Sequence, residues 1–133
     1  MKAFKYNKIV RDLTPERIAA EKGWLDCKHV RGKEKLLALN EKLHKEVDKL
    51  MSVQNKNEQL EELVDMIEII YSYAKELGIS QKKITSKRIK KKQEYGGFDS
   101  GIFVTRISFP ESYRSNGHCL RNSNGDQAID YVL

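Results

Sequence analysis

From Leu36 onward, apolar residues recur every three or four positions: Leu36, Leu39, Leu43, Val47 and Leu50. That spacing draws one stripe along a helix and predicts a helix over 33–52. The stripe ends at Met51, and residues 52–57 are a polar turn. A second stripe follows at Leu60, Val64, Ile67, Tyr71, Ala74 and Leu77, widened by Leu63 and Ile70. It predicts a helix over 57–77 with Asn57 as its cap. Gly78 then stands where helices end in a left-handed residue, with Ile79 as the apolar residue that usually comes next. Ser80 can cap a third segment, 81–94, which stops at Gly96-Gly97.

Outside these segments the pattern weakens. Residues 1–13 read as extended or irregular. Thr14-Pro15-Glu16 reads as a helix start, with Thr14 as N-cap and Pro15 at the first helical position, and this short helix stops at Gly23. Trp24 to Arg31 reads as a connector, or as a short strand around Cys27 to Val30. Phe98 to Phe109 alternates Ile102, Val104 and Ile107 with polar residues and reads as a short strand or extended arm. Residues 111–127 are rich in Ser, Asn, Gly and Arg and read as a loosely ordered tail, and Ala128 to Leu133 is apolar enough to dock. The expected fold class is therefore mainly α: an antiparallel helical hairpin or bundle with short extended segments at both ends.

Composition sharpens this picture. At 133 residues the chain fits one domain, yet 39% apolar against 33% charged is polar for a lone globule. Long helices with thin apolar stripes often complete their core by oligomerising, so a homodimer or homotetramer is expected. No run reaches the roughly 18 apolar residues of a membrane helix. The opening segment lacks the apolar stretch of a signal peptide. Two cysteines, Cys27 and Cys119, make no disulfide framework, so a reducing cytoplasm is the expected compartment. Neither Cys27-Lys28-His29 nor His118-Cys119 has the spacing of a known zinc motif.

Charge is more informative than composition. The net charge of +6 and pI of about 9.3 favour polyanionic partners. Acids gather in 41–68 and bases in 82–92. Helices joined by a short turn pack antiparallel, so residues equidistant from the turn face each other. Glu46 before the turn, and Glu62 with Asp65 after it, should then lie at one height. Glu62 and Asp65 are also i,i+3 neighbours on one helical face. Clustered carboxylates repel, and a hard divalent cation such as Mg²⁺ is the usual reason for gathering them. Ordinary solvated acids on a helix face are the competing explanation.

Three blocks resemble a known family. Glu62-Leu63-Val64-Asp65 is similar to the E-x-x-D half of the signature of MazG-like all-α nucleoside triphosphate pyrophosphohydrolases. Tyr6-Asn7-Lys8-Ile9-Val10-Arg11-Asp12-Leu13-Thr14-Pro15 resembles the opening of one small branch of that family, and Tyr95-Gly96-Gly97-Phe98-Asp99-Ser100-Gly101-Ile102-Phe103 resembles its closing block. The order and spacing agree, so the resemblance covers residues 1–106 and leaves 107–133 as a tail of unassigned role.

The resemblance implies a helical, dimeric or larger protein. It would cleave the α–β bond of nucleoside triphosphates to a monophosphate and pyrophosphate, with possible removal of non-standard nucleotides. It implies Mg²⁺, or Mn²⁺ in its place, on Glu46, Glu62 and Asp65. Candidate phosphate contacts are Lys8 and Arg11 in the first block, and Arg88 and Lys91 on the basic helix, which share a face at i,i+3 leading toward Gly96-Gly97. The chain departs from the pattern at one metal-ligand position, where Lys49 replaces a Glu; Lys45 also stands where relatives are often acidic. Three consequences are open: weakened metal binding, a site in which Lys49 touches phosphate, or loss of hydrolysis on a nucleotide-binding or regulatory protein. A nucleic-acid module using 82–92 is a further alternative, although that segment lacks interleaved aromatics.

Overall fold

The computed structural model describes residues 2–111, which fall into two compact units dividing at Gly96 and Gly97. The first unit carries four helices: α1 (Thr14–Ala20), α2 (Gly32–Ser52), α3 (Lys56–Glu76) and α4 (Gln81–Tyr95). No strand occurs among the described residues, so both strand alternatives resolve to irregular chain. The expected tail from residue 112 onward, with Cys119 and Ala128 to Leu133, lies outside them. The second unit, as far as it is described, turns at Gly101 and leaves Phe98, Ile102 and Phe103 exposed.

The dominant packing is α2 against α3, and α4 rests lightly on α3 alone. Buried and half-buried residues follow Leu39, Leu43, Glu46, Leu50 and Val53 on α2 and its exit. On α3 they follow Gln59, Glu62, Met66 and Ile69. Steps of three and four describe the seam of two helices packed side by side. A carboxylate therefore stands in the seam of each helix.

The hairpin is closed at both ends. At the turn, the Asn55 side chain accepts from the Asn57 backbone N–H at 2.8 Å, and the Gln59 amide donates to the Val53 carbonyl at 3.2 Å. The cap is thus Asn55 rather than Asn57, because the first turn of α3 begins one residue earlier than the apolar stripe implies. At the open end α2 has no side-chain cap of its own. Its orphan Gly32 N–H donates instead to Glu76 Oε1 at 2.6 Å, while Lys35 Nζ lies 3.2 Å from Glu76 Oε2. A carboxylate at a helix N-terminus also meets the positive end of its dipole. The pairs 32/76 and 46/62 both centre on position 54, so the clasp fixes the register that sets the two seam carboxylates opposite each other.

The remaining caps follow local chemistry. At the end of α3, Ile79 N–H donates to the Ala74 carbonyl and Gly78 N–H to that of Lys75, with Gly78 at φ +77°. This is the expected paired C-terminal cap, and only glycine adopts that φ without strain. Ser80 accepts from Lys83 N–H as expected. Thr14 is not a cap: its N–H already donates to the Arg11 carbonyl, so α1 starts at Thr14 with Leu13 before it.

One apolar stripe is placed differently from expectation. Of the α3 stripe, Ala74 is buried and Tyr71 half-buried, but Leu60, Val64, Ile67 and Leu77 are exposed, as are Leu63 and Ile70. The seam side of α3 instead carries Glu62, Met66 and Ile69. An α3 that is apolar on two sides has more apolar surface than α2 and α4 cover. Trp24 is also 75% exposed and is no core residue of this chain.

The clasp gives a pH prediction. The Gly32 N–H and the Lys35 ammonium hold the Glu76 carboxyl below its ordinary value. A depressed carboxylate contributes stability above the unfolded-state value and loses it as pH falls through the folded one. Glu76→Gln is therefore expected to lower the thermal midpoint at pH 7 and to match the native chain in acid. A gap that persists unchanged to pH 3 would show that the carboxylate charge is not what closes the hairpin.

Candidate metal and phosphate site

α2 supplies Glu46, and α3 supplies Glu62 and Asp65 one turn apart. One carboxylate oxygen from each lies within 4.8 Å of the others. The three acids expected from hairpin register are thus together. Glu46 is 1% exposed, and Glu62 and Asp65 are half-buried.

The two oxygens of Glu46 meet different surroundings. Lys49 Nζ lies 3.4 Å and Lys42 Nζ 3.8 Å from Oε1. Oε2 is buried without a hydrogen-bond partner, and so is Oε2 of Glu62. Two such oxygens in neighbouring carboxylates are costly, since each gave up hydration and gained no donor. A proton shared between Glu46 and Glu62 relieves the conflict, and hydrogen bonding to Glu46, followed by burial, pushes the Glu62 carboxyl above its ordinary value. A hard cation relieves it as well. The donors are all carboxylate oxygens, which suit a hard divalent ion rather than a soft one.

Asp65 Oδ1 carries a different load. Arg11, on the segment leading into α1, donates to it from Nη2 at 2.5 Å. That contact, with the nearby charges of Glu68 and Glu46, raises the Arg11 pKa further. Arg11, expected to hold phosphate, is therefore brought to the cluster itself, where it neutralises one carboxylate. Lys8 sits 5.0 Å above the Tyr6 ring and lines a shallow depression of about 10 Å³ with Ile9, Ala38, Glu41, Lys42 and Lys45.

Arg88 and Lys91 are exposed on α4, and among the described residues they form no ion pair or hydrogen bond. The cluster's ionic partners come from α2 and the N-terminal segment only. Lys49 is brought to the site, but on its solvent side: its side chain is 57% exposed and reaches only Oε1 of Glu46. Lys42 was not among the expected site residues. Its i,i+4 spacing to Glu46 was the available signal.

No family model matches the chain, and neither a curated protein nor a solved structure matches it. Among the described residues, no helix is long and apolar enough to cross a membrane.

The raised Glu62 pKa predicts an unusual stability effect. A carboxyl whose folded value lies above its unfolded value, 4.5, loses stability as pH rises through that window. Glu62→Gln removes the ionisation, so its thermal midpoint should match the native chain near pH 4. At pH 7.5 it should exceed the native midpoint. A lower midpoint at pH 7.5 would mean that the carboxylate is stabilising and the orphaned oxygen is an incorrect description.

Proposed function

We propose that this protein is a divalent-cation-dependent nucleoside triphosphate pyrophosphohydrolase of the MazG-like kind, releasing a nucleoside monophosphate and pyrophosphate. The reading is supported chiefly by two buried oxygens without a donor, Oε2 of Glu46 and of Glu62, in a cluster of three carboxylates. A fold-stabilising ion pair would leave no such atoms. The three sequence blocks add the family resemblance, and the all-oxygen donor set favours Mg²⁺ or Mn²⁺.

In this reading Glu46, Glu62 and Asp65 hold the ion. When bound, the ion supplies charge neutralisation to phosphate oxygens and acidifies a coordinated water. The chain's own residues do the rest. Arg11 and Lys49 carry positive charge at the cluster, where the phosphates of a triphosphate would add negative charge, and Lys8 lies in the depression that Lys42 and Lys45 share. Arg11 exchanges Asp65 for phosphate when substrate arrives. Glu62, raised by Glu46 and by burial in the absence of an ion, would give up its proton as the cation is taken up. Arg88 and Lys91 contribute only if a second copy of the chain brings α4 to the site. The exposed apolar side of α3, from Leu60 to Leu77, supports that homo-oligomer. A cytoplasmic location and non-standard nucleotides as substrates belong to the same proposal.

Lys49 supports a second reading, a nucleotide-binding or regulatory protein without hydrolysis. Its ammonium, 3.4 Å from Glu46, stands where a further ligand would serve and opposes cation entry.

Incubation with Mg²⁺ or Mn²⁺ and a panel of canonical and modified triphosphates separates the two. The expected outcome is pyrophosphate release by the native chain, reduced about 100-fold or more in Glu62→Gln. Release by Lys49→Glu but not by the native chain would establish the second reading. Inertness of both would remove the hydrolase assignment.

A further inference from the structure

α2 carries a second charged stripe beside its seam. Lys42, Lys45 and Lys49 follow one another at i, i+3 and i+7 and so share one side of the helix. Lys42 and Lys49 flank Glu46, while Lys45 has no ion pair or hydrogen bond among the described residues. Lys42 and Lys45 line the same depression as Lys8, which comes from a remote part of the chain, and Glu41 is the one acid in that wall. The stripe runs about 10 Å along the helix axis.

Like charges do not gather along one helix side without cost, and i,i+3 and i,i+4 repulsion is destabilising. Glu46 offsets part of it at Lys42 and Lys49. Lys45 and Lys8 form no ion pair among the described residues: Lys8 has the Tyr6 ring beneath it, and Glu41 is one acid among three lysines in the wall. An ammonium is a compact charge that pairs with anionic oxygens without demanding a planar partner. A single carboxylate would satisfy one of these lysines. An anion with several charges spread over most of the stripe would satisfy them all, and a chain of condensed phosphates has that form.

We propose that Lys42, Lys45 and Lys8 form a subsite for the distal phosphates of a polyphosphate, and that this subsite binds its anion without a metal ion. The inference rests on the reading of the adjacent cluster as a site for a phosphorylated substrate. It deepens that reading by dividing the labour: the carboxylates attract the cation, and the lysine stripe takes charge that a fuller set of metal ions would otherwise neutralise. The anion then reaches the hairpin before, or without, the cation.

Titration of the full chain with inorganic triphosphate in EDTA tests this, with heat or intrinsic fluorescence as the signal. Saturable binding is expected. Lys45→Ala should weaken it about fivefold, the loss of one charge-assisted contact. Lys45→Glu should abolish it. Lys87→Ala removes an equal charge from α4 and should change affinity by less than about twofold, as expected for a remote, screened charge. Thermal melts of each variant confirm that the helices persist. No saturable binding in EDTA, or equal losses in Lys45→Ala and Lys87→Ala, would overturn the proposal. So would preferential binding of a single-stranded oligonucleotide of matched charge. Binding of Mn²⁺ alone, compared between the native chain and Glu62→Gln, reports separately on the carboxylates. The acidic cluster can thus fail with the lysine subsite intact, and the reverse.

Discussion

Two carboxylates face each other in the seam between α2 and α3, where packing alone would place leucine or isoleucine. That confrontation is the constraint around which the first unit is arranged. Glu46 is as deeply buried as any side chain described, and its outer oxygen is balanced by Lys42 and Lys49 while its inner one is not. A hairpin with such a seam needs other means of holding register. It has them in the Asn55 cap and Gln59 contact at the turn, and in the Glu76 clasp on the first turn of α2. Weaken either end and the carboxylates would slide apart, since their mutual repulsion favours separation.

Much of this was legible in the sequence because helical period and turn position are local properties. Leucine spacing outlines α2, Gly78 and Ser80 mark the break before α4, and counting from the turn places Glu46 beside Glu62 and Asp65. What was not legible depended on which of two apolar sides α3 would turn inward. Leu60, Val64, Ile67 and Leu77 look like a core stripe, and an isolated periodicity cannot distinguish the seam with α2 from a side left for another partner. The seam residues Met66 and Ile69 lie among Ile67 and Ile70 of the outer stripe, and Glu62 interrupts their own spacing, so they give a weaker signal. Long-range charge pairs were equally hidden: Arg11 with Asp65, and Lys35 with Glu76, join segments whose proximity only folding establishes. The Glu62 seam position was readable in principle, as a charged residue on the three-and-four spacing that Met66 and Ile69 continue.

The distribution of positive charge also changes meaning once the hairpin is formed. By composition the basic run 82–92 dominates, and Arg88 and Lys91 stand in it as phosphate candidates beside Lys8 and Arg11. Yet α4 carries those bases on an exposed helix that packs only against α3. The cations beside the acidic cluster are fewer and come from elsewhere: Lys42 and Lys49 on α2, and Arg11 ahead of α1. A charge matters at a site through distance and dielectric, which fall away quickly in solvent, and hardly at all through its share of the total.

Lys49, at a position where the resemblance would call for a metal-ligand Glu, shows why a ligand count taken from a motif differs from a site. Lys49 would repel a cation placed against Oε1 of Glu46, but that oxygen is already committed to two ammoniums. The oxygens left without a partner are Oε2 of Glu46 and of Glu62, in a cluster that Asp65 completes. With Arg11 in place, the three carboxylates are faced by three cations, and the cluster is close to neutral overall while its interior remains unsatisfied. Such an arrangement separates two properties that a run of four acids would combine. The buried pair retains its demand for a proton or a small ion, whereas the rim no longer projects the negative field that would turn a phosphate away. An anionic substrate could then approach a carboxylate site without a full complement of metal already bound, with Lys49 as part of the approach instead of a defect in the cage.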